Sequence, residues 1–114
     1  MSKRPISLLV EDMADAVARI EGYVAGLSRG DFMADRKTAD AVVRNLEILG
    51  EAANRLPGDF KQCYADIPWP KIVGLRHRIV HDYFDIDLEI VWQIIQQELT
   101  PFKAQLDQLR SSQA

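Results

Sequence analysis

Apolar residues in this chain recur every three or four positions over long stretches, and nowhere do they alternate with polar ones as a half-buried strand requires. The clearest stripe is Leu88, Trp92, Ile95, Leu99, Phe102, Leu106 and Leu109. Ile6, Leu9, Met13, Val17, Ile20, Val24 and Leu27 form a second, and Val42, Leu46, Leu49, Ala53 and Leu56 a third. Each is the buried face of one amphipathic helix. The expected fold is all-α, an antiparallel up-and-down bundle of four to five main helices. It fills one domain over residues 1–110, followed by a polar tail, 111–114, that is expected to fray.

Local signals place the helix ends. Ser28-Arg29-Gly30-Asp31 matches a capping box, in which a serine and a carboxylate three residues on satisfy free amides at a helix start. Pro57-Gly58 ends the third-stripe helix by removing an amide donor and supplying flexible backbone. Within that helix the small residues Gly50, Ala52 and Ala53 allow close approach by a neighbour. A short helix is predicted over Phe60 to Ala65. Ile67-Pro68-Trp69-Pro70 then reads as a stiff entry into a helix running from about Pro70 to Tyr83, since proline is tolerated in a first turn. Asp85 or Asp87 is a natural cap for the last helix, which Pro101 should bend.

At 114 residues the chain suffices for one core. No apolar run approaches the roughly 20 residues of a membrane helix. Glu11 and Asp12 interrupt the apolar stretch after the basic start, so no signal-peptide core forms, and a cytoplasmic protein is expected. The single cysteine, Cys63, suits neither an internal disulfide nor a multi-cysteine metal site and is assigned no role. A net charge of -3 argues against nonspecific coating of nucleic acid. The distribution of charge is more informative. Between Asp66 and Asp82 there is no acidic residue, while Lys71, Arg76 and Arg78 supply fixed positive charge. Such a local cationic site suits an enzyme that engages a few phosphates and releases them.

Both histidines, His77 and His81, lie in this same region, in the segment from Gly74 to Phe84. Its skeleton is Arg76, four residues, His81, one residue, Tyr83. A guanidinium can hold phosphate oxygens in a fork, and an imidazole can move protons near neutral pH. In one straight helix Tyr83 returns to nearly the face of Arg76, whereas His81 points about 140° away. Convergence of Arg76 and His81 on one phosphate therefore needs a helix end near Val80 to Tyr83, a long arginine reach, or a second copy of the chain.

The pattern R-x-x-x-x-H-x-Y at Arg76, His81 and Tyr83 resembles the signature of HEPN-domain toxins, the HepT-like endoribonucleases of toxin-antitoxin pairs. Arg44 to Ala53, Ile67-Pro68-Trp69 and Asp87 to Trp92 are similar to HepT segments too, so the resemblance spans nearly the whole chain. It implies a two-fold homodimer with both motif copies lining one cleft, and cleavage of RNA without a metal or other cofactor. In its chemical version His81 takes the proton of the ribose 2'-hydroxyl and Arg76 holds the non-bridging oxygens. The acid for the leaving 5'-oxygen is unassigned, with His77 and the other protomer's His81 as candidates. The resemblance further implies that Tyr83 is the hydroxyl to which a partner nucleotidyltransferase antitoxin attaches AMP. The alternative function is a non-catalytic HEPN module that binds and regulates a nucleotidyltransferase.

Each residue also has a plainer role open to it. Arg76 would be a structural arginine paired with Glu47 or Glu51, and His81 a satisfied, partly buried histidine. His77 would be a solvated surface residue. Glu47 and Glu51 are otherwise supports around the site. His77 and His81 at i and i+4 suit two zinc ligands on a regular helix, but a third ligand is lacking and no metal is assigned. Trp69 and Trp92 lie on apolar stripes and are expected in the core rather than as RNA-stacking platforms.

Overall fold

The stripes pair as helices in a bundle. The computed structural model describes residues 3–82 and 85–113. Its helices are α1 (Ile6–Val24), α2 (Arg29–Ala34), α3 (Arg36–Arg55), α4 (Gly58–Gln62), α5 (Trp69–Val73), α6 (Leu75–Ile79), α7 (Leu88–Gln93) and α8 (Leu99–Gln113). A π-helical turn, Ile94–Glu98, joins α7 to α8 in one continuous rod. α1 packs most extensively on α3, with α8 also against α1 and with α5 and α6 lying on α3. Lys103 of α8 pairs with Glu21 of α1, and Arg110 with Glu11. Numbers rise along one helix as they fall along the other, so α1 and α8 run antiparallel. Among the described residues the sole β pairing is an isolated bridge, Val80 to Ile86.

All three predicted stripes point inward: Met13, Ile20, Leu46, Leu49, Leu106 and Leu109 are completely or almost completely buried. Burial of each such side chain contributes about 1.5–3 kcal/mol, which makes these faces the main source of stability. Trp69 is buried, its indole N–H donating to the carbonyls of Lys61 and Tyr64 (3.2 Å each), and Trp92 is partly buried against Phe32. Both tryptophans thus serve packing. The Ser28 capping box forms as expected, with reciprocal 3.1 Å bonds between Ser28 and Asp31.

Three boundaries differ from expectation. The short helix predicted over Phe60 to Ala65 occupies Gly58–Gln62 instead, and turns follow it. The helix predicted from Pro70 to Tyr83 is two short helices meeting at Gly74, and the second stops at Ile79. Near Pro101 the distortion lies one turn earlier: the ring would crowd the Gln97 carbonyl, and the backbone there has widened to the π turn, with Leu99 N–H bonding the Ile94 carbonyl. Between the two predicted caps, the last helix uses Asp87, whose Oδ1 accepts the Ile90 N–H at 3.1 Å. α8 continues through Gln113, where the Ser111 and Ser112 hydroxyls bond back to the Asp107 and Gln108 carbonyls.

Gly50 sets how α3 meets the motif segment. A Cβ there would stand 2.9 Å from the Ile72 carbonyl oxygen, 3.6 Å from that of Val73 and 3.9 Å from Leu75 Cβ. The end of α5 and the start of α6 therefore rest directly on the α3 backbone.

Candidate active site

Gly74 and Val80 bracket the five residues of α6, and at each the backbone leaves the helical conformation, at Gly74 with φ -87° and ψ 8°. The Gly74 N–H bonds the Pro70 carbonyl at 3.0 Å, and a Cβ at Gly74 would come within 3.0 Å of that same oxygen. A side chain would crowd this turn. Val80 has extended backbone and pairs with Ile86, reversing the chain toward α7. Backbone bonds tie the resulting loop: His81 N–H to the Asp85 carbonyl and Asp87 N–H to the Ile79 carbonyl, both 2.8 Å. Arg76 and His77 stay on the helix, while His81 lies beyond its end.

Arg76 and His77 help to line an open groove of about 800 Å³ between α3 and the α5–α6 segment, bordered by the chain start. From α3 the groove receives Arg44, Glu47, Glu51 and Arg55, and from the start of the chain Arg4 and Asp12. Its arginines divide into two kinds. Arg4 is held in a fork by Asp12 (2.6 and 2.8 Å), and Arg55 is paired with Glu51 at 3.0 Å. Arg44 and Arg76 are exposed and have no ion pair among the described residues. The expected structural pairing of Arg76 with Glu47 or Glu51 is therefore not made: Glu51 is engaged by Arg55, one turn along its own helix. Two unneutralised guanidinium groups facing one open groove are equipped to bind an anion.

His81 is not part of that groove wall. Its side chain is 51% exposed, and its Nε2 lies 3.3 Å from Asp87 Oδ2. The Ile90 N–H at the cap, and next the His81 ring, hold the Asp87 carboxyl below the usual carboxylate range. One chain thus brings Arg76, His77, Glu47 and Glu51 together and sets His81 apart at the neighbouring loop. With the helix ended at Ile79, His77 and His81 do not share a helical face, which removes the basis of a zinc pair. Among the described residues no group of three or more His, Cys, Asp or Glu is placed to hold a metal ion. Tyr83, the third motif residue, lies outside the described residues.

Arg78, the remaining motif cation, is structural. Its guanidinium forms a two-point fork with Glu98 in the π turn (2.8 and 2.5 Å), fastening α6 to the last helix. That bonding raises the arginine's pKa and lowers the glutamate's. Sequence periodicity held no sign of the fork, because the partners are 20 positions apart. Arg44 and Asp87 were equally silent as site residues. Arg44 was discoverable from its place one helical turn from Glu47 and two from Glu51, and Asp87 from its nearness in sequence to His81.

A family model described as Ribonuclease HepT-like matches residues 13–109. The chain is 35% identical over 108 residues to a protein of Thermococcus cleftensis named probable ribonuclease HepT, covering 95% of this chain and 98% of that protein. It is also 35% identical over 95 residues to a putative RNase of Methanocaldococcus jannaschii, covering 83% and 78% of the two chains. A putative RNase of Caldanaerobacter subterraneus is 36% identical over 86 residues, 75% of this chain and 77% of that protein. No solved structure matches the chain significantly. Among the described residues no helix is long and apolar enough to cross a membrane.

Proposed function

The chain belongs to the HepT-like ribonuclease family, and we propose that it is an endoribonuclease toxin that cuts RNA at its R-x-x-x-x-H motif without a metal. The observation that carries this reading is the pair of unneutralised arginines, Arg44 and Arg76, in one open groove beside His77. Arg76 holds the non-bridging oxygens of the scissile phosphate and offsets the charge that grows in the transition state. His81 takes the proton of the 2'-hydroxyl, whose oxygen bonds to phosphorus as the P–O5' bond breaks. The departing 5'-oxygen takes a proton from His77 or from the second protomer's His81. The products are a 2',3'-cyclic phosphate and a 5'-hydroxyl, so no water or cofactor enters the first step.

The separation of His81 from the Arg76 groove favours a homodimeric site, in which a two-fold partner brings a second motif to the same cleft. In this proposal a nucleotidyltransferase antitoxin neutralises the enzyme by attaching AMP to the motif residue Tyr83, since the added phosphodiester competes with the substrate phosphate for Arg76.

The test is cleavage of a single-stranded RNA in the presence of EDTA, with the matching DNA as control because it lacks the attacking hydroxyl. Wild-type protein is expected to cut only the RNA, and Arg76→Ala and His81→Ala to lose cleavage with thermal stability nearly intact. Undiminished activity in His81→Ala would remove the proposed base. A wild-type chain that binds a nucleotidyltransferase but cuts no RNA would instead be the non-catalytic module.

A further inference from the structure

The His81 ring faces a carboxylate whose other contacts are already taken, and this fixes more of the chemistry than the motif itself does. Asp87 is held at three points. Its N–H donates to the Ile79 carbonyl (2.8 Å), its Oδ1 accepts the Ile90 N–H (3.1 Å), and its Oδ2 is turned to His81 Nε2 (3.3 Å). His81 is anchored by its own N–H to the Asp85 carbonyl (2.8 Å), with the Val80–Ile86 bridge closing the same turn. Ring and carboxylate thus meet across a loop whose two arms are bonded to each other.

We propose that Asp87 is the positioning residue of this site, holding His81 as its Nε2–H tautomer so that Nδ1 is the nitrogen that exchanges protons with RNA. An ionised carboxylate only accepts hydrogen bonds, so the ring nitrogen facing it carries a hydrogen in the neutral ring as well as in the protonated one. The lone pair of the neutral ring is then on Nδ1. The inference rests on the ribonuclease reading for its consequence and on the loop geometry for its substance. It gives Asp87 two tasks, a helix cap through one oxygen and a histidine orienter through the other, by the logic that lets a buried aspartate fix the tautomer of a catalytic histidine in hydrolase triads.

The shared cap makes the substitution Asp87→Asn decisive. Asparagine caps helices as well as aspartate does, so α7 should keep its start. The Ile90 N–H requires an acceptor, which pins the amide oxygen there and turns the Nδ2 donor toward His81. Nε2 must then accept, the proton moves to Nδ1, and the proposed base is blocked. Expected is a switch of the His81 tautomer in ¹⁵N spectra of the imidazole and a kcat lower by on the order of 10²–10⁴, since the same acid-to-amide change in a serine protease triad costs about 10⁴. KM and Tm should stay near wild type. Asp87→Ser keeps a capping oxygen but cannot reach His81, so it should keep the fold, give a mixed tautomer and lose less kcat than the asparagine variant. An unchanged tautomer in Asp87→Asn overturns the proposal, as does a kcat loss in both variants that merely follows a fall in Tm. Absence of RNA cleavage by the wild type overturns the ribonuclease reading instead, while the tautomer spectra still decide whether Asp87 orients His81.

Discussion

Gly50→Ala tests whether the α3 contact positions the motif. In an unconstrained helix the change should stabilise by about 0.5–1 kcal/mol, because alanine loses less backbone freedom on folding. At Gly50 the new Cβ lies 2.9 Å from the Ile72 carbonyl oxygen, about half an ångström inside ordinary contact, and that atom is backbone. Relief requires the end of α5 to move away from α3, and overpacking of this kind costs about 1–3 kcal/mol. The net expectation is a destabilisation of about 1 kcal/mol, near 4 °C in Tm for a domain of this size. Activity should fall much further. Leu75 Cβ is 3.9 Å from the new methyl group and Arg76 is the next residue, so the displacement reaches the guanidinium, and misplacement by 1 Å can cost about 10²-fold in rate. Gly22 in α1 is the control: nothing lies within 4 Å of a Cβ there, so Gly22→Ala should raise Tm and leave activity alone. Differential scanning calorimetry and a fluorogenic RNA assay on both variants decide the matter. A Gly50→Ala protein with raised Tm and full activity refutes the claim that backbone contact with α3 sets the position of Arg76.

Arg44→Ala should raise KM for RNA with little change in kcat, and should lower the slope of log affinity against log salt by about 0.7 if one phosphate contact is lost; an unchanged slope takes Arg44 out of the binding groove. Glu98→Gln breaks the fork to Arg78, a partly exposed pair worth roughly 1 kcal/mol. Because the folded-state Glu98 carboxyl is held below the usual value of about 4.3, the pair's contribution is full above that value and is lost as pH falls through the lowered one. Wild-type and variant Tm curves should therefore differ near neutrality and converge in acid, and curves that stay parallel to pH 2 dismiss the linkage. If the proposed antitoxin acts at Tyr83, Tyr83→Phe should prevent AMP attachment by a co-expressed nucleotidyltransferase, read by intact mass, and leave RNA cleavage active beside it; an adenylate that persists places the acceptor elsewhere. Mixing inactive Arg76→Ala and His81→Ala proteins should restore cleavage if Arg76 of one protomer serves with His81 of the other, since the mixed dimer then retains one intact site; no restoration over a range of mixing ratios argues for sites complete within one chain.

The bundle was legible because burial imposes a period. A residue such as Leu46 or Leu106 must face the core, and in a helix that forces the spacing of its neighbours whatever their exact identity. Ser28 and Asp31 were legible for another reason: a capping box is a local bond that needs no tertiary partner. The Pro70 to Tyr83 helix went wrong where local and tertiary demands part. Ile72, Leu75 and Ile79 keep helical spacing across Gly74, so periodicity sees one helix. The break comes from the Gly74 turn and from the backbone pairing of Val80 with Ile86, which no residue pattern announces.

The same end of α6 explains why the site was half visible. Residue types made Arg76 and His81 the candidates, since guanidinium and imidazole are the groups phosphodiester chemistry uses. Their partners are set by the path of the chain after Ile79. Had the helix continued, Asp82 would have followed Arg78 at i+4 and a local ion pair would have been natural. With the helix ended, Arg78 instead finds Glu98 across the bundle, and the loop turns His81 toward Asp87. Arg44 and Arg76 are left facing one groove because Asp12 and Glu51 are spent on Arg4 and Arg55. Counting charge along the sequence cannot find that imbalance: the whole chain carries -3, yet in the groove Asp12 and Glu51 are taken up by Arg4 and Arg55, which leaves Arg44 and Arg76 facing the single carboxylate of Glu47.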